Sequence, residues 1–456
     1  MPSALSTRIS KRPWRRNVPV LAAWIVLVAG CAGAKEAGEG KEREPFIIER
    51  AEKKTRIDIP LGEPDSAVRS IQLYRVGVSD GPGTETVEET QFPVIALGAS
   101  GQLELKFDLM EQVGRPLSVF FYHADAAWER DLTPSEYLGG FHRDQLIQYT
   151  PSRATDVPYV HYAYRFPNDA ISFLLSGNYI VRITEQGMED DVLFERPFYV
   201  TEQAMGLQVG VENMLLSDGG FNAVQPSAVF LPSQSLQPNA YDFQVCFVRN
   251  GRFEAPRCTE QPRLYQTPSL QFYLEPNQAF EPETSDYFLD LSALQVGRQL
   301  AHIAFNEAPY RVQLEPDYAR FPGNPLAPFL RGQTVIAGAV RDVASPDVSA
   351  QYVQVRFSFV TDSGRPIEGG VSILGSFDGW DRRRATPMTW NDDEERYEAE
   401  MLLKQGQYEY RYVGGGGRLP RGTVPRPENL YTALVYFSDI RLQTDRLLAV
   451  GGVLAP

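Results

Sequence analysis

Histidine, cysteine and tryptophan are scarce in this chain of 456 residues, which has four, three and five of them. Three of the histidines, His123, His142 and His161, nevertheless fall in one region, and "FFYHADAAWERDL" (Phe120 to Leu132) sets the first beside three acids. A strand there would put His123 and Asp125 on one face, as a metal site requires. What is missing argues against that reading. There is no His-Glu-x-x-His pattern, no carboxylate-rich loop of calcium-binding spacing and no free thiol to complete a ligand set. There is no Gly-x-Ser-x-Gly elbow, and no serine or cysteine sits in a recognisable catalytic signature beside a histidine. The run "GGGGR" (Gly414 to Arg418) lacks the Gly-Lys-Ser/Thr end of a phosphate loop and reads as a hairpin tip. No local pattern singles out a carboxylate pair for glycoside chemistry. His123, Asp125 and His161 are therefore expected to pack and hydrogen-bond, with no catalytic residue, metal ligand or cofactor. An enzyme would need His123, Asp125 and a second histidine converging in a concave pocket.

Long apolar runs are also lacking, with one exception. "VPVLAAWIVLVAG" (Val18 to Gly30) follows Arg8, Lys11, Arg12, Arg15 and Arg16 and is too short to span a bilayer comfortably. It ends in "VAGC" at Cys31, which resembles the lipobox of bacterial lipoproteins, so residues 1–31 read as a signal peptide with Cys31 as the lipidation site. A plain secretory signal with an incidental cysteine is the alternative. No aspartate follows Cys31, which favours the outer membrane. Residues 32–44, "AGAKEAGEGKERE", are charged and without large apolar side chains, a flexible tether reaching about 20 Å. The remainder is expected to be soluble. Removing the five cations before Cys31 leaves 39 cations against 58 acids, a net charge of −19. A surface that acidic repels a phosphate backbone, which excludes nucleic acid as a partner.

With Cys31 lipidated, Cys246 and Cys258 remain as an even pair in an oxidising compartment, where a disulfide is expected. They flank Asn250-Gly251, a hairpin-turn signal. A two-residue turn would set Cys246 opposite Ala255, so the bridge requires a bulge or a longer return. Helical periodicity is scarce, and Gly139-Gly140 divides the one candidate, Ser135 to Tyr149. By contrast "LELKFDL", "VQVRFSF" and "YEYRY" alternate with the period of half-buried strands. Punctuated by 37 glycines and 34 prolines, the pattern is all-β: tandem immunoglobulin-like β-sandwiches with very little helix. Composition suggests domains at 45–202, 203–322 and 326–456, with a proline-rich linker at "DYARFPGNPLAPF" (Asp317 to Phe329).

In the last domain, "GSFDGWD" (Gly375 to Asp381) followed by "YEAEMLLKQGQYEYRYV" resembles the early-set immunoglobulin-like module beside glycogen-processing enzymes. Gly375, Phe377 and Trp380 form its turn, and Trp380 and Trp390 would stack on sugar rings if exposed. The same turn occurs in modules of this fold that bind no sugar. A glycan-binding outer-membrane lipoprotein is thus an alternative function.

A wider resemblance spans nearly the whole chain after Cys31. "YHADAAWERDL" with His123, Asp125 and Trp128, "EYLGGF" with Tyr137 and Phe141, "PYVHYAYRFPN" with Tyr159, His161, Tyr162, Pro167 and Asn168, and "LSGNYIVRI" with Ser176, Gly177, Asn178 and Tyr179 follow in order. "FVRNGRFEAP", "GSFDGW" and the closing "ENLYTALVYFSDIRLQTDRLLAVG" complete the series. Together they resemble the type IX secretion system plug protein family of the Bacteroidota and their relatives. The chain departs from that pattern at Ala124, where the family commonly has cysteine. It also departs at "FEPETSDYF", where a Gly-Gly-Asn-Glu-Phe-Arg turn is usual.

The resemblance implies a non-enzymatic protein on the periplasmic side of the outer membrane, a monomer when free. Its partner would be the large outer-membrane translocon β-barrel, whose periplasmic mouth it closes when no cargo is passing. The dense motif from His123 to Asn168 would be a structural signature of the first sandwich, including a docking loop. A lipid at Cys31 would anchor the protein to the membrane and concentrate it at the barrel.

Overall fold

The structure is a computed structural model. It describes residues 59, 61–77, 87–215, 222–236, 239–253, 256–264, 268–282, 285–320, 327–338, 345–414 and 428–455. The expected signal peptide, Cys31 and the expected tether at 32–44 lie outside the described residues, as does most of "GGGGR". No described helix is long and apolar enough to cross a membrane.

The fold is all-β and builds three sandwiches. In the first, Val68–Val76, Gln102–Leu109, Val160–Phe166 and Tyr149–Pro151 form one sheet. Val94–Ala96, Val192–Thr201, Gly177–Glu185, Leu117–Ala124 and Arg143–Leu146 form the other. Alternation is the cause: Leu103, Leu105, Phe107 and Leu109 enter the core from one strand, and Val119, Phe121, Val181 and Ile183 meet them from the facing sheet. The Ser135 to Tyr149 segment is broken as its glycines predict. The helix Pro134–Tyr137 opens at Thr133, whose backbone N–H and hydroxyl both donate to the Glu136 carboxylate, and gives way to the strand Leu138–Gly140.

The second and third sandwiches do not divide where composition suggests. Leu207–Leu215, Asn222–Phe230, Leu270–Tyr273 and Arg263–Leu264 form one sheet of the middle sandwich. Its other sheet joins Arg257–Thr259 and Phe243–Arg249 to the closing hairpin, Asn429–Asp439 and Thr444–Ala455. Tyr431, Ala433, Val435 and Leu448 from that hairpin fill the same core as Val245, Phe247 and Phe272.

The third sandwich is therefore an insertion into the second, from Tyr287 to Gly414. Tyr287–Asp290 pairs with Gly406–Gly414, and Arg311–Leu314 runs parallel to Tyr352–Val360. The proline-rich linker expectation is corrected in part as well. Asp317–Tyr318 is a short strand parallel to Phe359 and Val360, so this stretch begins inside the third sandwich.

Candidate functional site

His123 leaves the end of Leu117–Ala124 opposite Tyr179 and is buried. Its Nδ1 lies 2.8 Å from Asp131 Oδ1 and its Nε2 3.2 Å from the carbonyl of Ser176, so both ring nitrogens are engaged. Gly177 makes this possible. Its φ is 153°, and a Cβ there would stand 2.3 Å from His123 Nε2. Asp125 does not join the histidine in a ligand set. Its Oδ1 accepts from the backbone N–H groups of Ala127 and Glu129, both at 2.9 Å, and fixes the turn on which Trp128 takes a φ of 63°. Burial raises the Asp125 carboxyl to about 6.

That turn faces the closing hairpin. Ala126 N–H donates to Asp445 at 3.2 Å and the Thr444 hydroxyl donates to Asp131, while Asn178 donates to the Asp125 carbonyl and accepts from the Tyr436 hydroxyl, both at 2.7 Å. Arg446 reaches Glu202 with two hydrogen bonds of 2.8 Å, and Glu202 also accepts from Ser176 Oγ. Beneath these polar ties, Ala124, Trp128 and Tyr199 of the first sandwich pack with Leu434, Tyr436 and Leu447 of the middle one. The Cys246–Cys258 disulfide lies in the same cluster. The cysteines are direct cross-strand partners, which the longer return from Arg249 to Arg257 allows.

A second junction joins the first sandwich to the third. His161 Nδ1 lies 2.7 Å from Asp108 Oδ1, while Asp108 Oδ2 accepts from Lys404 Nζ at 2.6 Å and the Tyr352 hydroxyl at 2.7 Å. Tyr159 donates to the carbonyl of Ala350, and its ring sits 4.2 Å from Lys404 Nζ. Burial lowers the Lys404 pKa below the usual lysine range, against the pull of Asp108.

The expected sugar platform is corrected. Trp380 is 1% exposed, donates through Nε1 to the carbonyl of Gly332 at 2.8 Å and carries the Arg252 guanidinium 3.7 Å above its ring. It closes the junction of the middle and third sandwiches and has no free face. Trp390 is partly buried against Tyr397 and donates to Asp392. Gly375 and Phe377 frame the Trp380 turn: a Cβ on Gly375 would lie 2.7 Å from the Phe377 ring.

The remaining signature residues are structural too. Tyr137 and Tyr179 donate to the carbonyls of Phe121 and Leu175 beside His123. Tyr162 donates to the carbonyl of Arg115, and Asn168, after Pro167, accepts from Ala170 and Ile171 to shape a turn. Phe141 stands apart at 68% exposed. Leu174, 56% exposed, lies at the opposite end of the short ribbon formed by Leu138–Gly140 and Ile171–Phe173. Among the described residues no group of histidine, cysteine, aspartate and glutamate is arranged to hold a metal ion.

Sequence reasoning missed Asp108, Tyr352 and Lys404. The signal was an aspartate next to the end of one alternating strand and a lysine at the end of another, which a solvated face would also produce.

Residues 68–202 match the family model of the type 9 secretion system plug protein 1st domain. The chain is also similar to the crystal structure of a hypothetical protein from Parabacteroides merdae ATCC 43184. The identity is 24% and the TM-score 0.75, over 88% of this chain and 100% of that one. That likeness is one of fold. No curated protein matches the sequence.

Proposed function

We propose that this chain, which belongs to the type IX secretion system plug protein family through its first domain, is a stopper for the outer-membrane translocon barrel. It binds the barrel's periplasmic mouth and closes it when no cargo is passing, without chemistry of its own. The match of the first domain to the plug family carries this reading.

The geometry is congenial to it. Residues that resemble catalytic or metal-binding groups are occupied structurally, His123 and Asp125 within the turn that meets the middle sandwich and His161 at the junction with the third, and a stopper must resist collapse more than it must react. Phe141 is a signature residue left in solvent, so the ribbon carrying it and Leu174 is the contact we assign to the barrel. The seal must also release, which calls for an interface of moderate size with a polar rim. A lipid on Cys31 would hold the stopper at the inner face of the outer membrane, at an effective concentration on the order of mM.

The test is affinity capture of the tagged full-length protein from detergent-solubilised outer membranes of its own organism, read by mass spectrometry. One very large β-barrel protein is expected, its recovery reduced by Phe141→Asp. Capture without such a barrel would overturn the proposal. Cys31→Ser should leave the fold intact and release the protein into the periplasm with weaker plugging. Unchanged plugging would remove the tether from the mechanism.

A further inference from the structure

A cavity of about 320 Å³ lies between the first and third sandwiches, beside the Asp108 junction, whose Tyr352 and Lys404 are part of its wall. On one side it is lined by Arg69, Ser70 and Ile71, where the strand Val68–Val76 loses register with its neighbour and Ser70 takes a φ of 51°. Arg196 lines it from the same sandwich, and Asp378, Arg384 and Met401 from the third.

Arg196 is in an unusual place. It lies on the core-facing side of Val192–Thr201, between Phe194 and Phe198, opposite Val181. Its hydrogen bond is to the carbonyl of Glu195, and among the described residues it forms no ion pair. Arg384 donates to the carbonyl of Asp378 and likewise forms no ion pair among the described residues. Burial lowers the pKa of both, that of Arg196 to about 9, and the charge of Arg384 adds to the effect on Arg196.

Three acids stand near: Glu400, which also lines the cavity, is exposed and accepts from Gln354 Nε2, and the other two are committed elsewhere. Asp378 accepts from the backbone N–H groups of Gly375 and Trp380, and burial pushes its carboxyl well above the usual range. Asp381 is taken by the Arg383 side chain. Two half-buried guanidinium groups without an ion-pair partner are costly, and their planar forks match an oxyanion.

We propose that this cavity is a binding site for a small organic oxyanion, a carboxylate or phosphate on a compact apolar body, held by Arg196 and Arg384. The apolar body rests on Ile71 and Met401, and the volume suits a ligand of modest size.

The test is isothermal titration of the full-length protein with benzoate and with phenyl phosphate, at matched ionic strength in chloride. A single saturable site for either probe is expected, and the one that binds distinguishes a carboxylate source from a phosphate ester. Arg384→Gln should weaken it about tenfold or more, the loss of one charge-assisted contact, while Arg320→Gln, at an exposed arginine paired with Asp362, should not. Arg196→Met should also bind at least tenfold more weakly, yet melt at a higher temperature without ligand because a buried charge is gone. No saturable binding of either probe, or unchanged affinity in folded Arg384→Gln and Arg196→Met, would overturn the proposal.

Discussion

Lys404 and Asp108 meet at 2.6 Å across the junction of the first and third sandwiches, each with a side chain 1% exposed. The pair is surrounded rather than isolated: His161 and Tyr352 occupy the remaining carboxylate positions, and Tyr159 lies over the ammonium group. Breaking such a pair on one side leaves a buried charge uncompensated, which costs about 3–5 kcal/mol, whereas replacing both partners is often neutral. Asp108→Asn is therefore expected to lower stability by that amount. Asp108→Asn with Lys404→Met should recover most of it. Urea unfolding of the two variants measures the difference, and a single-variant loss below about 1 kcal/mol would mean the junction does not depend on this contact.

The middle sandwich takes two of the four strands of one sheet from residues 429–455. A fragment comprising 203–322, or a chain stopped at 427, would expose Val245 and Phe247 along an open sheet edge. Both are expected to be insoluble or protease-sensitive. A sharp cooperative melt of the 203–322 fragment would contradict the inserted topology.

The strands themselves were legible from sequence, because alternation is local and every second residue of Gln102–Leu109 is core. Which strands meet was not legible. The pairing of Cys246 with Leu434 joins segments far apart in the chain, and no local pattern records a partner at that distance. The same limit explains the histidines. Their density was visible, but the partners that define their role, Ser176 and Asp131 for His123 and Asp108 for His161, come from other strands and loops. A tryptophan beside a glycine turn reads identically whether exposed or covered, and only the arrival of Arg252 from the middle sandwich decides the case of Trp380.

Asp317 gives the protein a pH response opposite to that of a salt-bridged carboxylate. Burial raises its carboxyl from 3.8 to about 6, although the Tyr410 and Tyr412 hydroxyls donate to it at 2.6 and 2.7 Å. Between those two values the folded state keeps a proton that the unfolded state has lost, so its contribution is complete below pH 4 and is lost as pH rises through 6. A shift of this size is worth up to about 3 kcal/mol. Asp317→Asn should therefore gain stability relative to the parent as pH rises from 4 to 7, by at most that amount. Unfolding free energies at four pH values test this, and a pH-independent difference would show that Asp317 does not titrate in this window.

Trp380 should be silent toward sugars and expensive to remove. An aromatic platform for a sugar needs an open ring face, and both the burial of Trp380 and the Arg252 guanidinium above its ring deny one. Titration with soluble glucans is expected to leave tryptophan fluorescence unchanged. Trp380→Ala removes a fully buried side chain, the hydrogen bond to Gly332 and the seat of Arg252 together, a loss of about 3–5 kcal/mol for the cavity alone. Trp380→Phe retains part of the packing and should lose less. A glucan-dependent quench abolished by Trp380→Phe would require the junction between the middle and third sandwiches to open in solution, and would restore the glycan reading that the closed arrangement excludes.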